Sequence, residues 1–209
     1  MKRRLFVASF QCHDGLPVVG FQCKLVALAD AEGSCLFQDK GEEVAQGEVG
    51  ELAVKGPGVM KCYYNNPAAT AEVLHDGWLW TGDMARQDED GFYFLVDRKK
   101  DVVISGGENL YPVEIENFMS KFDKIKDVAV IGLPDKRLGE IAAAIVEIKS
   151  GVECTEQEIN EFCLGMPRYK RPKKIIFAPV PRNATGKIEK PKLRATYGVA
   201  ELVNAQNKA

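Results

Sequence analysis

Histidine, paired cysteine and long apolar runs are what this sequence has least of. With two histidines, His13 and His75, in 209 residues, it holds few groups that titrate near neutrality or bind metals through imidazole. Its six cysteines, Cys12, Cys23, Cys35, Cys62, Cys154 and Cys163, never form a Cys-x-x-Cys pair. Neither a zinc site nor a disulfide framework is indicated, and a reduced, cytoplasmic protein is expected. Cys12 and His13 are adjacent, but a thiol and its base must meet in space with a third group to orient them, and the sequence indicates none. The longest apolar stretches, such as Ile141–Val146, fall well short of the ~20 residues a membrane-spanning helix needs. Internal repeats and low-complexity tracts are also absent.

What is there suits a folded chain with one or two cored domains: 45% of residues are hydrophobic and 28% charged. Met1–Arg4 followed by Leu5–Phe10 superficially resembles the start of a secretory signal. The apolar run is broken at Ser9 and closed at Gln11 without a small-residue cleavage site, so an orphaned strand or a junction is the better reading. The net charge of −2 hides a strong polarity, because Arg168–Arg194 carries ten basic residues and one acid, Glu189. Such a segment attracts phosphates, whether of nucleic acid or of a small molecule, and it could also be a solvated tail.

Alternation at Phe21, Cys23 and Leu25, and again over Glu48–Lys55, predicts half-buried strands. The span 29–47, rich in Gly, Asp and Glu, predicts an exposed connection. Asn66-Pro67 predicts an N-cap and a short helix stopping near Gly77. Asp88–Gly91 predicts a turn before an aromatic strand, Phe92–Val96, that ends in the charged run Asp97–Asp101, taken as a domain boundary. Beyond it, Val102–Ile104 is followed by a helix opened by Pro112, with Ile115, Phe118, Met119 and Phe122 on one face. Strands are expected over Asp127–Leu133 and Ile141–Lys149, with a Pro134–Asp135 turn between them. A capping box at Thr155 and Glu158 opens a helix ending around Gly165, and a last strand, Ile175–Ala178, precedes a terminal helical piece. The expected fold is α/β (α+β): a β-rich subdomain over 15–97, a compact α/β domain over 98–198, an unmatched start over 1–14 and a tail over 199–209.

Three local patterns carry chemistry. Thr81-Gly82-Asp83 sets a carboxylate, a good acceptor for a ribose diol, where a glycine lets the chain approach a ligand; an aspartate after glycine is also a common turn residue or cap. Arg98 offers a planar fork, and Ser105-Gly106-Gly107 a flexible loop with amides to present; together they could equally be a surface ion pair and a hairpin. Pro181–Ile188 holds Lys187 on a glycine-containing loop, a compact charge able to follow a developing negative centre. It is not a Walker A motif, whose first glycine and Ser or Thr are missing.

In order, Gly47–Leu52, Tyr64–Pro67, Thr81-Gly82-Asp83, Asp97–Asp101, Gly106–Asn109, Pro112–Glu116, Tyr169–Lys173 and Thr185–Ile188 closely resemble the late motifs of the adenylate-forming superfamily, and within it the bacterial fatty acyl-CoA synthetases. The resemblance runs from about Gly15 to Tyr197. It implies an AMP-forming acid–CoA ligase using ATP, with Mg, and CoA: a carboxylate plus ATP gives acyl-AMP and pyrophosphate, then CoA displaces AMP. By resemblance Asp83 holds the ribose hydroxyls and Arg98 contacts the nucleotide. Lys187 promotes adenylation, and Lys100 is the hinge of a mobile C-terminal domain. Gly106 and Gly107 line the pantetheine tunnel, and Arg171 and Lys173 touch the CoA nucleotide.

A complete member also has a Ser/Thr/Gly-rich phosphate loop, an acyl pocket and a Tyr-Gly-x-Thr-Glu segment upstream, and none precedes Gly15. The chain is therefore expected to be a C-terminal portion, inactive alone, whose partner is the missing N-terminal domain and whose acid substrate is a fatty acid. An aryl-CoA ligase or peptide-synthetase parent is the alternative within enzymes. Outside them stand a non-catalytic CoA- or nucleotide-binding module and, on charge alone, a nucleic-acid binder, although no nucleic acid is the expectation.

Overall fold

The computed structural model describes residues 22–26 and 43–206, with side chains as far as Gly198. Phe21, most of the 29–47 connection and the N-terminal start lie outside the described residues. The chain divides into two compact units that meet in sequence between Lys100 and Asp101.

The first unit is built on β1 (Gln22–Val26), β2 (Val49–Lys55), helix α1 (Pro67–Val73), β3 (Leu74–His75), β4 (Trp78–Gln87) and β5 (Tyr93–Arg98). All its strand pairings are antiparallel, with β4 at the centre. One edge of β4 carries β2, and the other carries β3 and then β5, which part at Thr81-Gly82. Leu25, Leu52, Val54 and Ala85 form the buried cluster, with Leu79, Tyr93 and Leu95 packed against it. Helix α1 starts as expected: Pro67 is its first residue and Asn66 Oδ1 accepts from the Ala69 amide at 3.0 Å. It ends four residues short of Gly77, because Leu74 and His75 pair with Leu79 and Trp78. Asp76 and Gly77, with φ of 51° and 77°, make the tight hairpin turn that such pairing requires.

The second unit contains β6 (Val103–Ser105), β7 (Glu108–Leu110), helix α2 (Pro112–Met119), β8 (Ile125–Asp135), β9 (Gly139–Ile148), helix α3 (Glu156–Phe162), β10 (Lys174–Phe177) and helix α4 (Lys190–Gln206). Strand β9 is central, paired with β8 along one edge and with β6 and the parallel β10 along the other. Both faces are buried, so β8 reads as a near-continuous apolar run rather than an alternation. Val128 and Val130 join Ile115, Met119 and Ile159 on one face, while Ala129 and Ile131 join Ile145 and Leu193 on the other. Helices α2 and α3 thus cover one side and α4 the other, a three-layer arrangement. The capping box of α3 forms as expected, with the Thr155 and Glu158 side chains and amides exchanging bonds. Pro134 is not in a turn: it pairs with Glu140 inside the ladder. The turn follows it, where Asp135 Oδ1 accepts the amides of Arg137 and Leu138 at 2.9 and 2.8 Å. A proline can lie there because β8 is an edge strand.

Candidate functional site

In the first unit, Asp83 and Arg98 are cross-strand partners on β4 and β5. Arg98 Nε lies 2.7 Å from Asp83 Oδ1, with the arginine side chain 59% exposed and the aspartate 19%. Asp83 is neither turn residue nor cap but sits inside a strand. Gly82 beside it takes φ +70°, a conformation that L side chains resist. Thr81 repairs the disturbed ladder, accepting the Asp83 amide at 3.1 Å and donating to Leu52 O at 2.8 Å. Partial burial pushes the Asp83 carboxyl up from its ordinary value, and the Arg98 charge opposes that. The pair therefore presents a held carboxylate beside an exposed guanidinium. A cavity of about 370 Å3 in this unit, lined by residues such as Lys24, Glu43, Gln87 and Tyr93, includes none of the expected site residues.

The charged run closes with a 3-10 turn, Lys99–Asp101. Lys100 is exposed, and its side chain has no partner among the described residues. Its neighbours differ: Lys99 Nζ lies 2.6 Å from Glu51 Oε2, and Asp101 Oδ1 is paired with Arg194 Nη2.

In the second unit, Gly106 and Gly107 form a two-residue hairpin turn between Ser105 and Glu108, with φ of +61° and +87°. The Gly106 amide donates to Leu138 O at 2.8 Å, so the expected flexible loop is an anchored turn. A side chain at Gly107 would meet nothing within 4 Å; the backbone conformation, not crowding, calls for glycine there.

Lys187 sits on a loop held by two neighbours. Arg182 bonds Asp127 through Nε and Nη2 at 2.6 and 2.8 Å and reaches Gly186 O through Nη1 at 2.5 Å. Asn183 Oδ1 accepts the Thr185 amide, the Thr185 hydroxyl and the Lys187 amide at 3.0, 2.7 and 2.9 Å, and the Asn183 amide donates to Lys187 O at 2.9 Å. The backbone of Lys187 is fixed while its side chain is exposed and without a partner among the described residues. That combination suits a cation meant to meet a ligand.

Arg171 is committed: its Nε donates to Met166 O at 2.9 Å and its Nη2 to Leu164 O at 3.0 Å, closing the turn after α3. Lys173 donates its backbone amide to Ala142 O at 2.8 Å, and its side chain is exposed and has no partner among the described residues. Sequence reasoning missed Arg182, Asn183 and Asp127. Asn-Ala-Thr-Gly is a readable turn signal, but nothing local ties Arg182 to a residue 55 positions away. Also missed was a largely buried pair, Lys190 Nζ and Glu116 Oε1 at 2.8 Å. Glu116 also accepts the Val130 amide at 2.8 Å, satisfying the free edge of β8.

Residues 114–187 match the family described as the AMP-binding enzyme C-terminal domain. Among curated proteins, the chain is 49% identical over 150 residues to long-chain-fatty-acid–CoA ligase FadD13 of Mycobacterium tuberculosis, covering 71% of this chain and 30% of that protein. It is 44% identical over 160 residues to a feruloyl-CoA synthase of Amycolatopsis sp, covering 76% and 33%. Among solved structures, ATP-bound MatB from Rhodopseudomonas palustris superposes with a TM-score of 0.76 at 34% identity, covering 88% of this chain and 35% of that one. The chain belongs to the adenylate-forming superfamily and carries its C-terminal domain. Within that superfamily it corresponds to the C-terminal part of AMP-forming acid–CoA ligases, spanning about 30% of the length of the curated relatives it matches.

Proposed function

We propose that the chain serves as the C-terminal part of an ATP-dependent carboxylate–CoA ligase that converts a fatty acid, ATP and CoA to acyl-CoA, AMP and pyrophosphate. The observation that carries this reading is Lys187, a cation with no partner among the described residues, on a backbone fixed by Asn183 and Arg182. A charge placed in advance stabilises a developing negative centre without reorganising at the moment of reaction. In adenylation that centre lies between the attacking carboxylate and the α-phosphate.

Asp83 suits the ribose hydroxyls, because a carboxylate accepts from both members of a diol. Arg98, paired with Asp83 through Nε and with its side chain 59% exposed, can turn its guanidinium to the nucleotide. Lys100 acts as the hinge through which the second unit brings Lys187 to the first step and the Gly106-Gly107 turn to the second. For the CoA nucleotide, Lys173 is the available cation, and Arg171 orders the turn leading to it, reaching CoA only by giving up a carbonyl. Magnesium accompanies the ATP phosphates and neutralises their charge; among the described residues no three of His, Cys, Asp and Glu gather to hold it. The acid is read as a fatty acid from the 49% relative. The similarity to a feruloyl-CoA synthase supports an aromatic acid as the second reading.

The test uses a ligase rebuilt by joining this chain in frame to the upstream part of a long-chain relative. Lys187→Ala should slow carboxylate-dependent pyrophosphate exchange strongly and leave thioester formation from supplied acyl-AMP near the parental rate. Equal loss in both half-reactions overturns the role given to Lys187.

A further inference from the structure

We propose that Glu51 and Arg194 are positioning residues that confine the hinge to Lys100, each clamping one flanking residue to its own unit. The inference rests on the reading of Lys100 as the hinge and adds what limits its motion. Glu51 is buried in β2, with a side chain 5% exposed, and its carboxylate lies 2.6 Å from Lys99 Nζ. A carboxylate removed from water needs its counter-charge, so Lys99 cannot leave without stranding it. One residue earlier the chain is held again, where the Arg98 amide donates to Asp97 Oδ1 at 2.8 Å and the Arg98 side chain pairs with Asp83.

Across Lys100 the same device recurs with the signs exchanged. Asp101, with a side chain 13% exposed, is paired with Arg194, which lies on α4 next to Leu193, a buried member of the second core. Two residues further on, Val103 is 1% exposed at the start of β6. Lys100, between the clamps, is exposed and has no side-chain partner among the described residues. Each residue contributes two soft dihedrals, so a pivot limited to Lys100 turns about one pair of bonds, whereas an unclamped 99–101 would have three pairs. A narrow pivot keeps the second unit on few trajectories, which maintains the effective concentration of the groups it carries.

The experiment is 15N relaxation of the full 209-residue chain, comparing wild type with Glu51→Gln and Arg194→Gln. In wild type, the Lys99, Lys100 and Asp101 amides should all keep order parameters of about 0.85, as in rigid backbone, because a turn about φ and ψ of Lys100 leaves the Lys100 amide with the first unit and carries the Asp101 amide with the second. Glu51→Gln should lower the value at Lys99 and not at Asp101, and Arg194→Gln should do the reverse. A merely structural loss would instead spread through the strands of the affected unit. The proposal is overturned if Lys99 or Asp101 falls toward the flexible range below ~0.6 in wild type, a result that needs neither variant to fold. It is also overturned if each variant loosens both sides alike. Neither outcome depends on ligase chemistry, so failure here leaves the functional reading to its own test.

Discussion

Asn183→Ala should release the backbone that holds Lys187 without unfolding the second unit. Asn183 Oδ1 accepts three hydrogen bonds, from the Thr185 amide, the Thr185 hydroxyl and the Lys187 amide. The loop is exposed, so freed donors turn to water and only the net worth of each bond is lost, about 0.5–1.5 kcal/mol. The hydroxyl rotates freely to water, which leaves two backbone bonds and a total of about 1–3 kcal/mol. At 1.4 kcal/mol per decade, the open form of the loop gains roughly 5- to 150-fold. Arg182 still binds Asp127, so the loop loosens rather than detaches. Hydrogen exchange of the Lys187 amide should accelerate by that factor while the amides of β8 and β9 keep wild-type protection. In the rebuilt ligase, pyrophosphate exchange should fall by no more than the same factor, with thioester formation from acyl-AMP unchanged. Unaltered exchange at Lys187 would refute the reasoning and leave the loop to Arg182 alone.

Three further outcomes are expected. Arg98→Gln removes the charge that opposes burial at Asp83, so the carboxyl should titrate higher still, as a carboxyl 13C titration would show; a lower or unchanged value contradicts the pairing. Because the native state holds this proton more tightly than the unfolded chain, the group's contribution to stability declines as pH rises from the ordinary carboxylate range through the raised value, and the variant widens that window. Lys190→Met removes the cation 2.8 Å from the Glu116 carboxylate and should destabilise the chain in urea unfolding by less than the ~3–5 kcal/mol of a wholly uncompensated buried charge, because Glu116 keeps other partners such as the Val130 amide; adding Glu116→Gln, which still accepts from Val130, should restore most of the loss. Lys100→Pro fixes φ near −65°, so in the rebuilt ligase adenylation should survive and thioester formation should be lost; parental rates in both would reduce Lys100 to a solvated linker charge.

Local rules made much of the fold legible. The Asn66 cap, the proline at the start of α2 and the capping box of α3 depend on residues within one turn of each other, and each forms as the sequence predicts. What escaped were elements whose pairing is non-local. Strand β4 carries Gly82 and Asp83 in its middle, which breaks the period that marks a strand, and it exists because β2, β3 and β5 pair with it. Strand β7, three residues long, is set by the hairpin at Gly106-Gly107. Single candidates such as Lys187 were visible as a cation on a turn. Their supports, Asp127 for Arg182 and Glu51 for Lys99, lie 55 and 48 positions distant and carry no sequence signal of their own.

The most direct measurement is carboxylate-dependent ATP–pyrophosphate exchange, with a fatty acid as the carboxylate, by the chain alone and by the rebuilt ligase. The chain alone is predicted to give none, because the roles proposed for Asp83, Arg98 and Lys187 concern the ribose, the nucleotide and the carboxylate, and none of the described residues is proposed to hold the departing pyrophosphate. The rebuilt ligase is predicted to exchange and to form acyl-CoA when CoA is added. Exchange by the chain alone, or a folded rebuilt ligase that activates no carboxylic acid, would contradict the account.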